Sequence, residues 1–145
     1  MAKRILFDRS AGLEKDSVIV NYVADQTKPG DKVLVWGNDL WINFGAVREA
    51  PTRYGYQYPL FMKGYADTEK VAEFLADLQN DPPKLIVEPV VDTSEILPLN
   101  IGLSRSVEMP DGMDAVFGFI KQNYCVKAKI HDIVVYQWVG GSPCQ

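Results

Sequence analysis

Between the turn residues Lys28-Pro29-Gly30-Asp31 and Gly37-Asn38-Asp39 lies Val33-Leu34-Val35-Trp36, four apolar residues in succession. A run this short, bounded by turns and half β-branched, reads as a strand buried on both faces. Such a strand needs helices to cover it. The flanking sequence supplies them. From Asp16 to Thr27, Ile19, Tyr22 and Val23 share one helical face, with Asp16 or Ser17 able to cap. Thr68 to Asn80 carries the stripe Val71, Phe74, Leu75 and Leu78, with Thr68 as the expected cap. Asp81-Pro82-Pro83 ends that helix, because proline cannot continue the hydrogen-bond ladder. Leu85-Ile86-Val87 then reads as a second buried strand.

The remaining elements are less regular. Leu40-Trp41-Ile42-Asn43-Phe44 reads as a short helix capped by Asn38 or Asp39 and ending near Gly45. A third amphipathic helix is expected from Gly112 or Met113 to Tyr124, with Met113, Val116, Phe117, Ile120 and Tyr124 on one face. Val126, Ala128 and Ile130 alternate with Lys127, Lys129 and His131, the pattern of a strand with one wet face. Ile133 to Val139 follows after the short break His131-Asp132, which predicts an antiparallel hairpin. Residues 1–15 read as a leading arm, with a short strand at Arg4–Asp8 as the other reading. Residues 92–112 read as a long loop, a length often tied to function. The order of elements implies a single α/β domain over 1–145: a Rossmann-like three-layer sandwich with a mixed sheet of about five strands and a C-terminal antiparallel hairpin.

Composition narrows the function. Lys plus Arg is 15 and Asp plus Glu is 19, a net charge of −4. The basic residues are scattered, so nucleic acid is not an expected partner. No apolar run reaches the ~18–20 residues of a membrane span, and the first residues lack an apolar stretch of signal-peptide length. Two cysteines and one histidine are too few for a Cys/His zinc site, and no metal is expected. A Cys125–Cys144 disulfide would close a loop of about 20 residues, worth ~3 kcal/mol. Two free thiols are the simpler reading.

Familiar catalytic signatures are missing. The turn after the first buried strand holds a single glycine, Gly37, where a dinucleotide fingerprint needs three, and no Walker A or Gly-x-Ser-x-Gly pattern exists. No cofactor is therefore expected. Cys125 and His131 have no reason to meet, and His131 belongs on the wet face of its strand. Asp31 and Asp39 flank the first buried strand, the simpler roles being a turn for Asp31 and a cap for Asp39. Strand ends are nonetheless where open α/β sheets place ligands, which brings Asn38 and Asp39 into the candidate set.

The chemically richest segment is 48–61. Arg48, Arg53, Tyr54, Tyr56 and Tyr58 fall within eleven residues. Alternating tyrosines in an extended strand would share one face. Arginine offers planar donors to phosphate or carboxylate, and tyrosine rings stack on sugars. The set is a candidate binding surface for a saccharide, a lipid phosphate or a partner. The plainer reading has the tyrosines half buried and the arginines in solvent.

Several stretches in order carry a resemblance: Pro29-Gly30-Asp31-Lys32-Val33-Leu34-Val35-Trp36-Gly37, Pro51-Thr52-Arg53-Tyr54, Asn80-Asp81-Pro82-Pro83-Lys84-Leu85-Ile86-Val87, and the ending from Asn123-Tyr124 to Tyr136. Together, over roughly residues 16–138, they resemble the soluble C-terminal domain of bacterial multi-spanning glycosyltransferases of the GT-C class. That class includes relatives of the dolichyl-phosphate-mannose protein mannosyltransferases and the aminoarabinose transferases. The resemblance implies a non-catalytic accessory domain on the extracytoplasmic face of the membrane. The parent enzyme would use a polyprenyl-phosphate sugar donor, and its membrane-embedded part would be this domain's partner. The family's catalytic carboxylates lie in the membrane part, so no catalytic residue carries over. It also implies that the chain is excised from a larger membrane protein.

Two other readings stand beside it. One is a free-standing soluble Rossmann-like module that binds a ligand or a protein. The other is a small enzyme pairing Asp39 with Arg53, which requires a pocket joining them.

Overall fold

The computed structural model describes residues 16–89, 96–99 and 109–145. Helix α1 covers residues 16–26 and buries Ile19 and Val23. The Lys28–Asp31 turn then reverses the chain. Asp31 closes it by accepting a bond from the Lys28 N–H at 2.8 Å, and Gly30 takes the positive φ of 96° that the turn needs. Strand β1, Val33–Val35, follows, and all three of its residues are buried.

Helices α2 (Trp41–Ala46), α3 (Tyr58–Phe61) and α4 (Thr68–Asn80) come next, then strand β2 (Leu85–Pro89). Helix α5 (Met113–Asn123) and strands β3 (Tyr124–Ile130) and β4 (Ile133–Trp138) follow as the last elements among the described residues. The sheet has the order β1-β2-β4-β3. Strands β1 and β2 run parallel with Val33 opposite Leu85, while β4 pairs antiparallel with β2 and β3. Ile130 faces Ile133 across a tight turn at His131-Asp132, and His131 has φ 53°. That is the hairpin expected from the sequence.

Alternate residues of a strand point to opposite faces. Val33, Val35, Leu85 and Val87 join Ile133 and Val135 in one apolar cluster with Ile19 and Val23 of α1 and Ile42 and Ala46 of α2. Leu34, Trp36 and Ile86 join the other cluster, with Leu60 of α3, Phe74 and Leu78 of α4, and Met113, Val116 and Ile120 of α5. Trp36 is the hub of this second cluster. Its indole lies 5.7 Å from the Phe117 ring, and its N–H donates to the Leu97 carbonyl at 2.9 Å.

Several expectations change. Among the described residues the sheet is mixed and has four strands, not about five. It holds one parallel pair, and the C-terminal hairpin is present as expected. The Tyr54–Tyr58 stretch is not a strand. It is a series of bends leading into α3, with Pro59 in that helix's first turn. Asp67, not Thr68, caps α4, because Asp67 is the residue in extended conformation and its carboxylate accepts the Lys70 N–H at 2.7 Å. Leu40 precedes α2 without a side-chain cap, so neither Asn38 nor Asp39 fills that role. The alternation in β3 breaks at a bulge between Val126 and Ala128, which turns Val126 outward. Cys125 and Cys144 form a disulfide, with Cα atoms 5.6 Å apart, where free thiols were the simpler reading. The leading arm and most of the 92–112 loop lie outside the described residues; of that loop, Ile96 and Leu97 are buried in the second cluster.

Candidate functional site

An open cleft of ≈ 930 Å³ lies beside the start of β1. Its walls come from the Pro29–Lys32 turn, from α2 and the residues at its two ends (Leu40, Asn43, Phe44, Val47), and from the stretch Arg48–Ala50 with Thr52. Its charges balance: Asp31 and Glu49 against Lys32 and Arg48. Lys32 donates to Glu49 at 2.8 Å, which raises the lysine ammonium and lowers the glutamate carboxyl from their ordinary values. Residues 32 and 49 meet because the Val33 N–H donates to the Glu49 carbonyl at 2.9 Å, laying the 48–50 segment along the edge of β1 away from β2.

Of the candidate residues, Arg48 borders this cleft, but its guanidinium is committed elsewhere. Nε donates to Thr27 Oγ1 at 2.9 Å. Nη1 donates to the carbonyls of Ala46 and Val47 at 3.0 and 3.1 Å, and Nη2 to those of Ala24 and Thr27 at 3.4 and 3.3 Å. Those carbonyls are the open ends of α1 and α2. A cation there also meets the negative ends of both helices. Arg48 is a clamp between two helices.

Arg53 sits differently. Its guanidinium lies 4.9 Å from the centre of the Tyr54 ring, and Nη2 donates to the Tyr54 hydroxyl at 2.8 Å and to Glu73 on α4 at 2.9 Å. The Arg53 side chain remains 65% exposed. The Tyr54 ring is buried, edge-on to Phe74 at 6.2 Å. Burial raises the Tyr54 hydroxyl above its ordinary value, and the Arg53 bond opposes that. Tyr56 and Tyr58 are half-buried and stack on each other with centroids 5.8 Å apart. Tyr54 is buried within the second cluster, and Tyr56 and Tyr58 pack against it, so the three do not form one exposed face. Asn38 is exposed, and Asp39 accepts the Trp41 indole N–H at 3.3 Å. The structure thus places Arg53 with Tyr54, and Tyr56 with Tyr58; the cleft walls include neither Asp39 nor Arg53.

The residue that organises this segment was not singled out from the sequence. Gln57 is fully buried. Its amide N–H group serves the carbonyls of Val35, Tyr54 and Gly55 at 3.0–3.1 Å, and its oxygen accepts the Gly37 N–H at 2.7 Å. Asn43 does the same one step earlier, donating to Val33 and Arg48 carbonyls at 2.9 and 3.0 Å. Two side-chain amides cover an edge strand that would otherwise offer free backbone groups. Glu88 was also missed, although a charge inside a buried strand is a readable signal. It is buried, and its carboxylate accepts the Leu99 N–H at 2.7 Å and the Tyr136 hydroxyl at 3.0 Å. Burial raises its carboxyl, and these two bonds act against that.

Among the described residues no group of three or more His, Cys, Asp or Glu side chains could hold a metal ion. No helix among them is long and apolar enough to cross a membrane. No family model and no curated protein matches the chain. Among solved structures, the C-terminal globular domain of an oligosaccharyltransferase from Archaeoglobus fulgidus is similar to it. The TM-score is 0.44 and the sequence identity 12%, over 82% of this chain and 93% of that one.

Proposed function

We propose that this chain is an extracytoplasmic accessory domain of a membrane glycosyltransferase that uses a polyprenyl-phosphate sugar donor. In this reading the domain binds and positions, and the bond-making groups belong to the membrane-embedded part of the same polypeptide. The observation that carries it is the Cys125–Cys144 disulfide, which ties the C-terminal tail to the start of β3. Such bonds persist in oxidising compartments outside the cytoplasm. The resemblance of the 29–37, 51–54 and 80–87 segments to GT-C accessory domains agrees with it. Arg53 is the candidate contact to a phosphate, because it keeps donors in solvent, and the Tyr56/Tyr58 pair offers ring faces to a sugar or an isoprenoid.

Source cells fractionated into membrane and soluble pools, then treated with a thiol-blocking reagent before and after reduction, test the placement. A membrane band several times larger than 16.3 kDa, its two cysteines labelled only after reduction, is the expected result. A soluble band near 16.3 kDa with reactive thiols rejects it in favour of a free-standing Rossmann-like binding module. The contact is tested by NMR titration with farnesyl phosphate. Shifts at Arg53, Tyr56 and Tyr58 that vanish in Arg53→Ala are expected; an unperturbed segment removes it from the site.

A further inference from the structure

Helix α2 has two faces of opposite fate. Ile42 and Ala46 are buried beneath it. Gly45 lies against α1, where a Cβ would come within 2.8 Å of a Val20 methyl, so this glycine permits the close approach that orients the helix. The outward positions are then Trp41, Phe44 and Val47, each three residues from the next. They are apolar, and they are 37%, 82% and 79% exposed. Val47 is held at φ 55°, ψ 50°, the left-handed region that a β-branched residue occupies only at a cost. Neither the exposure nor the backbone conformation helps the isolated domain.

We propose that the Trp41–Phe44–Val47 ridge is a membrane-contact surface that seats in the interfacial region of a zwitterionic bilayer. The proposal rests on the reading of the chain as part of a membrane protein. Three features select a bilayer as the occupant. Phe44 and Val47 protrude, and a fluid phase can close around protruding side chains without a matching mould. Trp41 has its indole N–H satisfied by Asp39 and its ring partly exposed, the two-sided chemistry that suits the headgroup level. The charges beside the ridge, Asp31, Lys32, Asp39, Arg48 and Glu49, leave a net −1, which is repelled by anionic headgroups and tolerated by a zwitterionic surface such as phosphocholine.

The test uses the purified, disulfide-intact chain and vesicles of brominated phosphatidylcholine. Tryptophan quenching that is lost in Trp41→Phe is expected. Partitioning should hardly change between low and high salt, because a bilayer without net charge leaves little long-range attraction to screen. The double variant Phe44→Ser/Val47→Ser should partition at least ~10-fold more weakly with its urea midpoint retained, since both side chains are exposed. Equal partitioning of that variant, no quenching at millimolar lipid, or binding that needs anionic lipid would each overturn the proposal. So would a concentration-dependent dimer abolished by the double variant, which would assign the ridge to a second copy. Vesicle binding by a chain found soluble with free thiols in cells would sink the glycosyltransferase reading alone. A membrane-bound, oxidised parent whose isolated domain ignores vesicles would sink the ridge alone.

Discussion

Arg48 and Arg53 stand five residues apart in one unusual segment, yet they meet opposite surroundings. Arg48 spends its guanidinium on carbonyls at the ends of two helices and on Thr27. Arg53 rests on a tyrosine ring with one partly exposed acid and keeps most of its surface in water. Helix-end carbonyls have no other partner, so an arginine that reaches them becomes structural. An exposed ion pair gains little from its geometry and leaves its cation available. Residue type alone did not separate the two; what lies opposite each guanidinium did.

The sharpest test of this contrast is a pair of alanine substitutions followed by urea unfolding. Arg48→Ala should destabilise the domain by about 3 kcal/mol, because several helix-end carbonyls lose their donor together. Arg48→Lys should recover little of that, since one ammonium cannot match a planar fork. Arg53→Ala should cost no more than ~0.5 kcal/mol. Equal losses at the two sites would break the comparison.

Gln57→Leu extends it to the segment between the arginines and α3. Leucine fits the buried volume but abandons the carbonyls of Val35, Tyr54 and Gly55 and the N–H of Gly37. A loss of about 2–3 kcal/mol is expected, because buried backbone groups are left unpaired. The same variant should speed amide exchange at Gly37.

These two sites also mark how far the sequence could be read. Helices α1, α4 and α5 were visible because burial on one face imposes a period on apolar residues, and strands β1, β2 and β4 because burial leaves short apolar runs between turns. The Tyr54–Tyr58 alternation misled because the inward positions of that stretch are Tyr54, Gln57 and Leu60, three apart, and one of them is polar. The cleft was hidden for a related reason. Lys32 and Glu49 are paired through the strand edge between them, and no spacing rule predicts a partner 17 residues away. Bonds from side-chain amides and guanidinium groups to backbone carbonyls leave no mark in residue type. Nor does a bulge such as that beside Val126.

Glu88 offers a smaller effect with a defined sign. Burial raises its folded-state carboxyl above the ordinary range, although Leu99 and Tyr136 counter that. The folded chain therefore keeps a proton at pH values where the unfolded chain has released it. The stabilisation is complete below the ordinary carboxylate range and fades as pH rises through the raised folded value. Urea midpoints measured from pH 4 to 8 should carry this downward contribution with rising pH, and Glu88→Gln should remove it. An unchanged slope in the variant would show that Glu88 titrates normally, and its burial would then count for less than its two hydrogen bonds.

The smallest expected change runs the other way. Val47 caps α2 in the left-handed region, and its N–H reaches back to the Phe44 and Asn43 carbonyls. Glycine adopts that conformation freely, and the exposed valine side chain contributes little packing to the isolated domain. Val47→Gly should stabilise the chain by about 0.5–1 kcal/mol, read as a higher urea midpoint at unchanged slope. The neighbouring Arg48 clamp sharpens the point, because it holds the carbonyl of the same strained residue at 3.1 Å. In an Arg48→Ala background, α2 can relax at its end, and the gain from glycine should shrink. A full gain in that background would mean that the left-handed cap is imposed by α2 itself and owes nothing to the arginine.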